Sequence, residues 1–365
     1  MSLPVKFGYT VDVLTPMGIK DIIAHARLAE KYGFDTLWFS DHIVIFPPVP
    51  SSEFAQLRSG CPDAWAVLAA IATQTKRLRL ASAVSDPYRR HPSLIAQTVA
   101  TVDRISEGRA ILGIGAGEAM NLTPFGIRWD RPLSGLREAI LIVRGLWTST
   151  LEDKVNFEGK VFHLRNGFTY VKPVQDPYPP IYVGALGEKT RRIAGELADG
   201  WLPWMESPET YRRHLRDVEA GARKVGRNPE EIDSVVNLYT AISADREEAK
   251  RSIEIAKIGI VLNGQEILSS AGSHLQIPRE LTVQRVLTEP HESRVFADLL
   301  AQVPTEVMDM ANVAYGRIDD CIEKIEEYID AGVRQISIFN RGPDAGYTLR
   351  MYGEKIMPYF KEQSG

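Results

Sequence analysis

Two short polar runs contain the residues best suited to acid–base chemistry. The first is Ser40-Asp41-His42, and the second holds Glu118 with Asn121 three positions later. Histidine and glutamate transfer protons in many enzymes once their pKa values are tuned. The apolar neighbours Met120 and Phe125 predict a raised pKa for Glu118. Taken alone, Asp41-His42 also fits a pair that caps a loop, and Glu118 fits a charge in the first turn of a helix.

A glycine-rich run, Gly113-Ile114-Gly115-Ala116-Gly117, precedes Glu118. The dinucleotide fingerprint of a Rossmann fold has a similar pattern, but it follows the first strand and opens a helix. Here the run follows a fourth predicted strand and leads toward Pro124 and Gly126, which predict a loop. We therefore expect these glycines to mark tight turns or to let a planar ring approach the backbone.

A second small-residue turn, Gly184-Ala185-Leu186-Gly187, leads into a predicted helix that begins near Lys189. The free N–H groups and the dipole of a helix N-terminus favour a phosphate group. Arg191 and Arg192 add positive charge to this helix. The sequence therefore predicts a phosphate site here, with an ordinary strand–helix turn as the alternative.

The sequence does not match the motifs of several other classes of function. The seven histidines show no metal-binding spacing, so no metal is expected, and no serine-hydrolase elbow or P-loop occurs. The net charge of −4 gives no basic surface for nucleic acid. No apolar run is long enough to cross a membrane, and the N-terminus does not look like a signal peptide. Cys61 and Cys321 suit free thiols in a reducing cytoplasm, where we expect the protein to act on a small molecule.

Strand-like runs alternate with amphipathic helices along the 365 residues. The predicted strands are Val5–Val11, Thr36–Ser40, Leu78–Val84, Ala110–Ile114, Ile181–Ala185, Gly200–Trp204, Val235–Ile242 and Gln335–Asn340. The predicted helices are Gly18–Tyr32, Asp63–Thr75, Pro92–Ile105, Leu133–Trp147, Lys189–Leu197, Pro208–Val225, one from Arg246, Ile318–Asp330 and Tyr347–Phe360. Eight alternating strand–helix pairs predict an α/β fold, a (β/α)8 TIM barrel.

We expect one barrel domain over residues 1–365, with two insertions. Residues 148–172 predict a hairpin that turns at Glu158-Gly159-Lys160, and residues 258–315 predict a helical insertion that is a candidate lid. In a TIM barrel every loop that follows a strand opens on the same face. The polar residues that end several strands should therefore meet there, and this shared position favours a functional site over separate local roles.

Four motifs together resemble one family. They are Ser40-Asp41-His42, Arg89-Arg90-His91-Pro92, Gly113-x-Gly-x-Gly-Glu118-x-x-Asn121 and Pro180-Ile-Tyr-Val-Gly-Ala-Leu-Gly187. They resemble the luciferase-like monooxygenase superfamily, in the branch that uses the deazaflavin coenzyme F420. The resemblance covers most of the chain and is weakest in residues 258–315. It implies a luciferase-like barrel, a bound flavin-like coenzyme and a homodimer.

The resemblance also implies roles for the matched residues. His42 and Glu118 would donate or accept protons near the substrate, and Asp41 would contact the ring of the coenzyme. A non-prolyl cis peptide bond at Ser82–Ala83, in a bulged third strand, would press on that ring. The other residues that would contact the coenzyme are Ser85, Gly115, Ala116, Gly117 and Asn121. Those that would hold its phosphate are Ala185, Leu186, Gly187, Glu188 and Lys189.

The branch includes glucose-6-phosphate dehydrogenases, secondary alcohol dehydrogenases, methylenetetrahydromethanopterin reductases and phthiodiolone ketoreductases, and residues 117–132 are most similar to the ketoreductases. The sugar-phosphate enzymes have a Trp where this chain has Phe46, and no Lys follows the sixth strand, which ends at Trp204. We therefore expect Phe46 and Trp204 in a pocket for an apolar or mixed carbonyl or alcohol.

The expected reaction is hydride transfer between the deazaflavin and a carbonyl or alcohol carbon. An FMN-dependent monooxygenase of the same superfamily and a non-catalytic flavin-binding barrel are the alternatives. Leu275, Ile277 and Leu281 of the insertion are a candidate apolar cover for the pocket. The cations that could still bind a substrate phosphate are Arg128, Arg131, Arg279 and Arg285.

Overall fold

The computed structural model describes residues 5–11, 13, 17–44, 61–278, 281 and 290–363. Its strands are β1 Lys6–Thr10, β2 Thr36–Phe39, β3 Arg79–Ser82, β4 Ala110–Gly115, β5 Val155–Glu158, β6 His163–Gly167, β7 Ile181–Gly184, β8 Gly200–Leu202, β9 Asp233–Ile242, β10 Val313–Gly316 and β11 Gln335–Asn340. Parallel pairing runs from β11 through β1, β2, β3, β4, β7 and β8 to β9, which pairs back with β11. The closed barrel of eight parallel strands confirms the predicted fold class.

Helices fill the connections between the strands. They are α1 Ile19–Lys31, α2 Ala64–Ala72, α3 Pro92–Ile105, α4 Ala119–Leu122, α5 Pro132–Thr148, α6 Glu188–Leu197, α7 Pro208–Lys224, α8 Arg246–Ile253, α9 Ala256–Asn263, α10 Gln265–Ser270, α11 Pro290–Gln302, α12 Val307–Met310, α13 Ile318–Asp330, α14 Ala345–Met351 and α15 Met357–Gln363. Short 3-10 turns occur at Thr123–Phe125 and Pro229–Glu231, and a π turn at Tyr352–Ile356 joins α14 to α15. No helix in the described ranges is long and apolar enough to span a membrane.

Alternate residues of each strand face two different cores. One set points outward and packs with the helices, as Phe7 and Tyr9 of β1 do. The other set points into the barrel, where side chains from six strands form a separate buried cluster: Trp38, Ala81, Ile111, Tyr182, Leu202 and Val235. A filled interior leaves the strand ends as the place for a site.

A ninth strand in the main sheet, β10, was not predicted and overlaps the end of the predicted helical insertion. β8 pairs with β9 only at Asp233 and Ser234, although β9 continues to Ile242. β10 pairs with that remaining edge, from Tyr239 to Ile242. An unpaired backbone edge is costly when it is buried, so the short β8 explains why the insertion supplies a strand.

A short helix also forms where a loop was predicted, directly after Glu118. α4 covers one turn and continues into the 3-10 turn that contains Pro124. Proline is tolerated at the first positions of such a turn, because the N–H group it lacks would have no partner there. Gly126 ends the turn with a φ of 70°. Pro124 and Gly126 therefore limit the helix to one turn and do not prevent it.

The predicted hairpin and the described residues of the insertion form local structure. β5 and β6 form an antiparallel pair on either side of Gly159. In the insertion, α9 and α10 bury Ile258, Ile260 and Ile267 in the outer core. The proposed cover residues Leu275, Ile277 and Leu281 are half-buried and pack against the same core.

Arg109 stabilises the end of the barrel at which the strands begin, and it directly precedes β4. Its side chain is buried and donates hydrogen bonds to five oxygens: Ser106 O at 2.6 Å, Thr75 Oγ1 at 3.0 Å, Leu78 O at 2.7 Å, Ala72 O at 2.9 Å and Thr75 O at 3.0 Å. The guanidinium therefore ties the end of α2 and the start of β3 to the turn that precedes β4.

We predict that Arg109→Met lowers the free energy of unfolding by about 3 kcal/mol, because several buried carbonyl groups lose their donors. Urea denaturation of the purified protein measures this change. Arg104→Met, at an exposed position of α3, is the matched control and should change stability by less than about 0.5 kcal/mol. Equal stability of the two variants would show that the Arg109 contacts contribute little.

Candidate active site

His42, Glu118 and Asn121 come together at the carboxyl ends of the strands. His42 follows β2, and Glu118 and Asn121 follow β4. His42 Nδ1 lies 3.4 Å from Glu118 Oε2 and 3.0 Å from Asn121 Nδ2, which also donates to Glu118 Oε2 at 3.2 Å. A histidine and a carboxylate at this separation form a pair that can share and transfer a proton.

The pKa values of this pair move in opposite directions. Burial acts to lower the pKa of His42, but the Glu118 carboxylate outweighs it, so the pKa of His42 lies above its ordinary value. Burial acts to raise the pKa of Glu118, but His42 and Asn121 outweigh it, so this pKa lies below its ordinary value. The raised pKa expected for Glu118 from its apolar neighbours is therefore wrong. The side chain is 53% exposed and has a cationic partner.

Asp41 lies at the centre of a buried ionic network. Its carboxylate accepts hydrogen bonds from Arg90 Nη1 at 3.0 and 2.9 Å, from Ser85 Oγ at 2.6 Å and from Arg89 Nη1 at 3.3 Å. Ser85 Oγ in turn accepts from Trp65 Nε1 at 2.9 Å. The side chains of Asp41 and Ser85, both predicted to contact a coenzyme, thus make close contacts with protein groups.

The two arginines, Arg89 and Arg90, position the site, although the sequence analysis used them only as part of a motif. Arg89 also binds the Asp41 carbonyl oxygen and Asp86, while Arg90 also binds Asp63. They therefore fix the Asp41-His42 turn from the segment after β3. Asp86, three residues before Arg89, was the available signal in the sequence, but it does not show that Arg89 and Arg90 also bind Asp41 and Asp63.

A bulge follows β3, one residue later than predicted. The cis peptide bond is Ala83–Val84 and not Ser82–Ala83. Ala83 N still donates to Phe39 O of β2 at 2.8 Å, so regular pairing continues through Ala83. Ser85 N then donates to Gly113 O at 2.9 Å. The irregular backbone is therefore confined between these two hydrogen bonds.

Val84, which the sequence analysis did not select, occupies the space that the glycines leave. A Cβ atom on Gly115 would lie 2.8 Å from Val84 Cγ2, and one on Gly184 would lie 3.0 Å from the same methyl group. A Cβ atom on Gly113 would lie 1.8 Å from Ser82 O. These glycines thus make room for the bulge of β3. That they also admit a planar ring stays a prediction.

Gly117 and Ala116 have different local roles. Gly117 has a φ of 86°, which is the tight turn expected of one of the glycines in this run. Ala116 O accepts a hydrogen bond from Trp129 Nε1 at 2.9 Å. The turn that carries Glu118 is therefore held from both sides, by its own backbone conformation and by Trp129.

The turn predicted to bind a phosphate, residues 184–187, leads into α6, and several backbone N–H groups there are free to donate. Gly187 N donates to Thr190 Oγ1 at 3.2 Å, whereas the backbone N–H groups of Leu186, Glu188 and Lys189 have no partner among the described residues. The Lys189 side chain is exposed and makes no ion pair within the described ranges. This combination of free amides and a free cation suits an anion.

The other charges and the buried alanine of this turn support its shape. Arg191 binds Leu186 O and pairs with Asp217, and Arg192 pairs with Glu188 at 3.0 Å. Ala185 is buried, and its carbonyl oxygen accepts from Trp201 Nε1 at 3.0 Å. The two arginines are thus engaged within the protein, so Lys189 carries most of the available positive charge.

The predicted substrate-pocket residues are only partly described. Trp204 is half-buried, with its ring 5.8 Å from that of Tyr239, whereas Phe46 lies outside the described residues. Arg128 is exposed and pairs with Asp130 at 2.9 Å, and Arg131 donates to a backbone oxygen at 3.4 Å. The remaining cations considered for a substrate phosphate, Arg279 and Arg285, also lie outside the described residues.

The chain is similar over its whole length to proteins of known function. It is 29% identical over 358 residues to 5,10-methylenetetrahydromethanopterin reductase of Archaeoglobus fulgidus, covering 98% of this chain and 100% of the relative. It is 27% identical over 369 residues to F420-dependent glucose-6-phosphate dehydrogenase of Microbacterium testaceum, covering 100% of this chain and 99% of the relative.

A solved structure shows the same similarity in three dimensions. An F420-dependent secondary alcohol dehydrogenase, in complex with an F420–acetone adduct, superposes with a TM-score of 0.79 at 25% identity. The match covers 98% of this chain and 99% of the other. The model of the family described as luciferase-like monooxygenase matches residues 4–335. The chain therefore belongs to the luciferase-like monooxygenase family.

Proposed function

We propose that the protein is an F420-dependent oxidoreductase that transfers a hydride between the deazaflavin coenzyme and a carbonyl or alcohol carbon of a small organic substrate. The observation that carries the proposal is the His42–Glu118 pair, held 3.4 Å apart at the carboxyl end of the barrel. A protein that only bound a flavin would have no use for such a proton pair. Relatives that use F420 support the choice of coenzyme.

The residues at the strand ends fit such a coenzyme. The free amides at the start of α6, with Lys189 beside them, suit its phosphate. The bulge at Ala83 and Val84 gives a half-buried apolar surface, which suits a planar ring. We assign Ala185 to Lys189 to the phosphate and the bulge, with Ser82, Ser85 and Gly115 to Gly117 near it, to the ring.

The coenzyme would supply or accept the hydride, and the protein would manage the proton. When a carbonyl becomes an alcohol, a proton must reach the oxygen as the hydride reaches the carbon. His42, whose pKa is raised by Glu118, is the proton donor of this pair. Asp41 fixes the turn that carries His42 and lies close enough to influence its pKa.

An apolar or mixed carbonyl or alcohol fits the pocket better than a sugar phosphate. A phosphate dianion needs cationic partners to leave water. Arg128 and Arg131 are engaged elsewhere, and no Lys lies between Trp204 and α7. The relatives include both a sugar-phosphate and an alcohol dehydrogenase, so similarity does not select the substrate. Assembly as a homodimer and location in the cytoplasm stay predictions from the sequence.

We predict that F420 binds at micromolar concentration and that FMN binds at least tenfold more weakly, a difference of about 1.4 kcal/mol. Fluorescence titration of the purified protein with each compound measures both affinities. Lys189→Ala should weaken F420 binding, and Lys154→Ala, on the distant hairpin, is the matched control. Tight FMN binding without F420 binding would replace this proposal with the FMN-dependent monooxygenase.

We predict that Glu118→Gln lowers turnover about 100-fold, because a general acid–base pair contributes that much, with little change in coenzyme affinity. Loss of the carboxylate also lowers the pKa of His42. Carbonyl reduction needs the protonated histidine, so its rate should begin to fall at a lower pH than in the wild-type protein. A pH profile of kcat/KM measures this shift.

The control for this variant is Glu107→Gln, at an exposed position near the opposite end of β4. It makes the same chemical change away from the site and should leave both the rate and the pH profile unchanged. Wild-type turnover and an unshifted profile in Glu118→Gln would remove Glu118 from the proton pair.

We predict that secondary alcohols and ketones give higher kcat/KM values than glucose 6-phosphate when all are assayed with F420. The physical reason is that the described residues between Trp204 and α7 include no cation to replace the water lost by a phosphate. A panel assay at equal concentrations measures the ranking. The highest kcat/KM for glucose 6-phosphate would contradict the substrate class while leaving the coenzyme assignment intact.

A further inference from the structure

The amide of Asn121 is fully used by the protein. Its Oδ1 accepts hydrogen bonds from Ile43 N at 2.7 Å and Val44 N at 2.9 Å. Its Nδ2 donates to His42 Nδ1 and to Glu118 Oε2, at 3.0 and 3.2 Å. An amide group offers two acceptor positions and two donor hydrogens, so all four are engaged and none is left for a ligand.

The two backbone N–H groups also fix which way the amide faces. An N–H group can only donate, so the atom that meets Ile43 N and Val44 N must be the oxygen. The NH2 group is therefore the end that faces His42. Asn121 is 2% exposed, which leaves little freedom for the amide to turn away.

His42 Nδ1 consequently lies between a donor and an acceptor. The neutral ring with its proton on Nε2 matches Asn121, because bare Nδ1 accepts from the amide. The doubly protonated ring matches Glu118, because Nδ1–H then faces a carboxylate oxygen. Both forms carry a proton on Nε2. The third form, neutral with a proton on Nδ1, would direct an N–H group at the NH2 group of Asn121 at 3.0 Å, as the charged ring does, but without the full positive charge whose attraction to Glu118 offsets this clash.

We propose that Asn121 is a positioning residue that selects the Nε2–H form of neutral His42, so that Nε2 offers a proton to a ligand whether the ring is neutral or charged. Nε2 has no hydrogen-bond partner among the described residues, whereas Nδ1 faces Asn121 and Glu118. This assignment replaces the direct coenzyme contact expected for Asn121.

Besides the neutral Asn121, several charged or titratable groups surround His42. Glu118 follows β4, and Asp41 precedes His42 on its own segment. Arg89, from the segment after β3, opposes protonation of His42. Cys61, which precedes α2, lies near and keeps its proton, since burial raises the pKa of its thiol to about 11. Of these groups only Glu118 approaches Nδ1 to within hydrogen-bond range of a charged ring.

This use of Nε2 rests on the proposed reaction. In that reaction the substrate oxygen would accept a hydrogen bond from Nε2–H. Charged His42 would transfer that proton as the hydride reaches the carbon, leaving the ring neutral with its proton on Nδ1. That form faces the NH2 group of Asn121. Proton exchange with Glu118 and solvent would then return the ring to the Nε2–H form.

The test is the tautomer of His42 in the coenzyme-free protein, measured by NMR with ¹⁵N-labelled histidine. Signals of His42 are assigned by their loss in His42→Gln. Above the pKa of His42, the wild-type protein should show a bare Nδ1 and a protonated Nε2. Asn121→Asp is made together with Glu118→Gln, so that the new carboxylate does not face a second one 3.2 Å away. It keeps an acceptor for Ile43 N and Val44 N but replaces the donor, so relative to Glu118→Gln alone it should move the proton to Nδ1.

Asn166→Asp, at an exposed position of the hairpin, is the matched control and should leave the tautomer unchanged. A protonated Nδ1 in the neutral wild-type ring would overturn the proposal, and so would an unchanged tautomer when Asn121→Asp is added to Glu118→Gln. This measurement needs neither coenzyme nor substrate. Failure of the F420 titration would therefore leave its result standing, and the two proposals fail separately.

A pH profile gives a second measurement in the active enzyme. Asn121→Asp places a carboxylate oxygen beside Nδ1, which raises the pKa of His42 by about one unit or more. The alkaline fall in carbonyl reduction should therefore move to higher pH by that amount, opposite in direction to the shift in Glu118→Gln. A purely structural role would reduce the rate at every pH without this shift, and that result would overturn the proposal.

Discussion

The buried Asp41 carboxylate is the interaction on which the rest of the site depends. It is 2% exposed and binds two arginines and a serine hydroxyl, each supplied by the segment that follows β3. Loss of one partner from a buried ion pair costs several kcal/mol, because the remaining charge stays out of water. Strand β2 and the chain after β3 are therefore held in one arrangement, and His42, the next residue, takes its position from it.

A second constraint is steric, and it depends on the absence of side chains and not on contacts between them. The bulge after β3 needs space, and Gly113, Gly115 and Gly184 of β4 and β7 provide it by having no side chain. Any of these positions with a Cβ atom would contact Val84 or Ser82 at 3.0 Å or less. Glycine is therefore required on two strands so that a third can be irregular. The ionic network holds the turn of His42, and the glycines allow the bulge beside it.

The barrel could be predicted because its signals are local: buried runs, helical periodicity and turn residues follow one another along the chain. The meeting of His42, Glu118 and Asn121 could also be predicted, since all strand ends share one face. The contacts between the side chains could not be predicted from the sequence. The role of Val84 depends on glycines of two other strands, and β10 exists because β8 is short. The lowered pKa of Glu118 depends on a partner 76 positions earlier in the chain.

The two carboxylates of the site differ in how many partners they have, and this difference separates their roles. Asp41 receives donors on both oxygens from Arg89, Arg90 and Ser85, and it is closed to solvent. Glu118 faces His42 and accepts from Asn121 on one oxygen, and its side chain is 53% exposed. A carboxylate with every position occupied can hold a structure but cannot easily exchange a proton. The partly occupied one keeps a route to water, which supports the proposal that protons at this site move through Glu118 and His42 while Asp41 stays fixed.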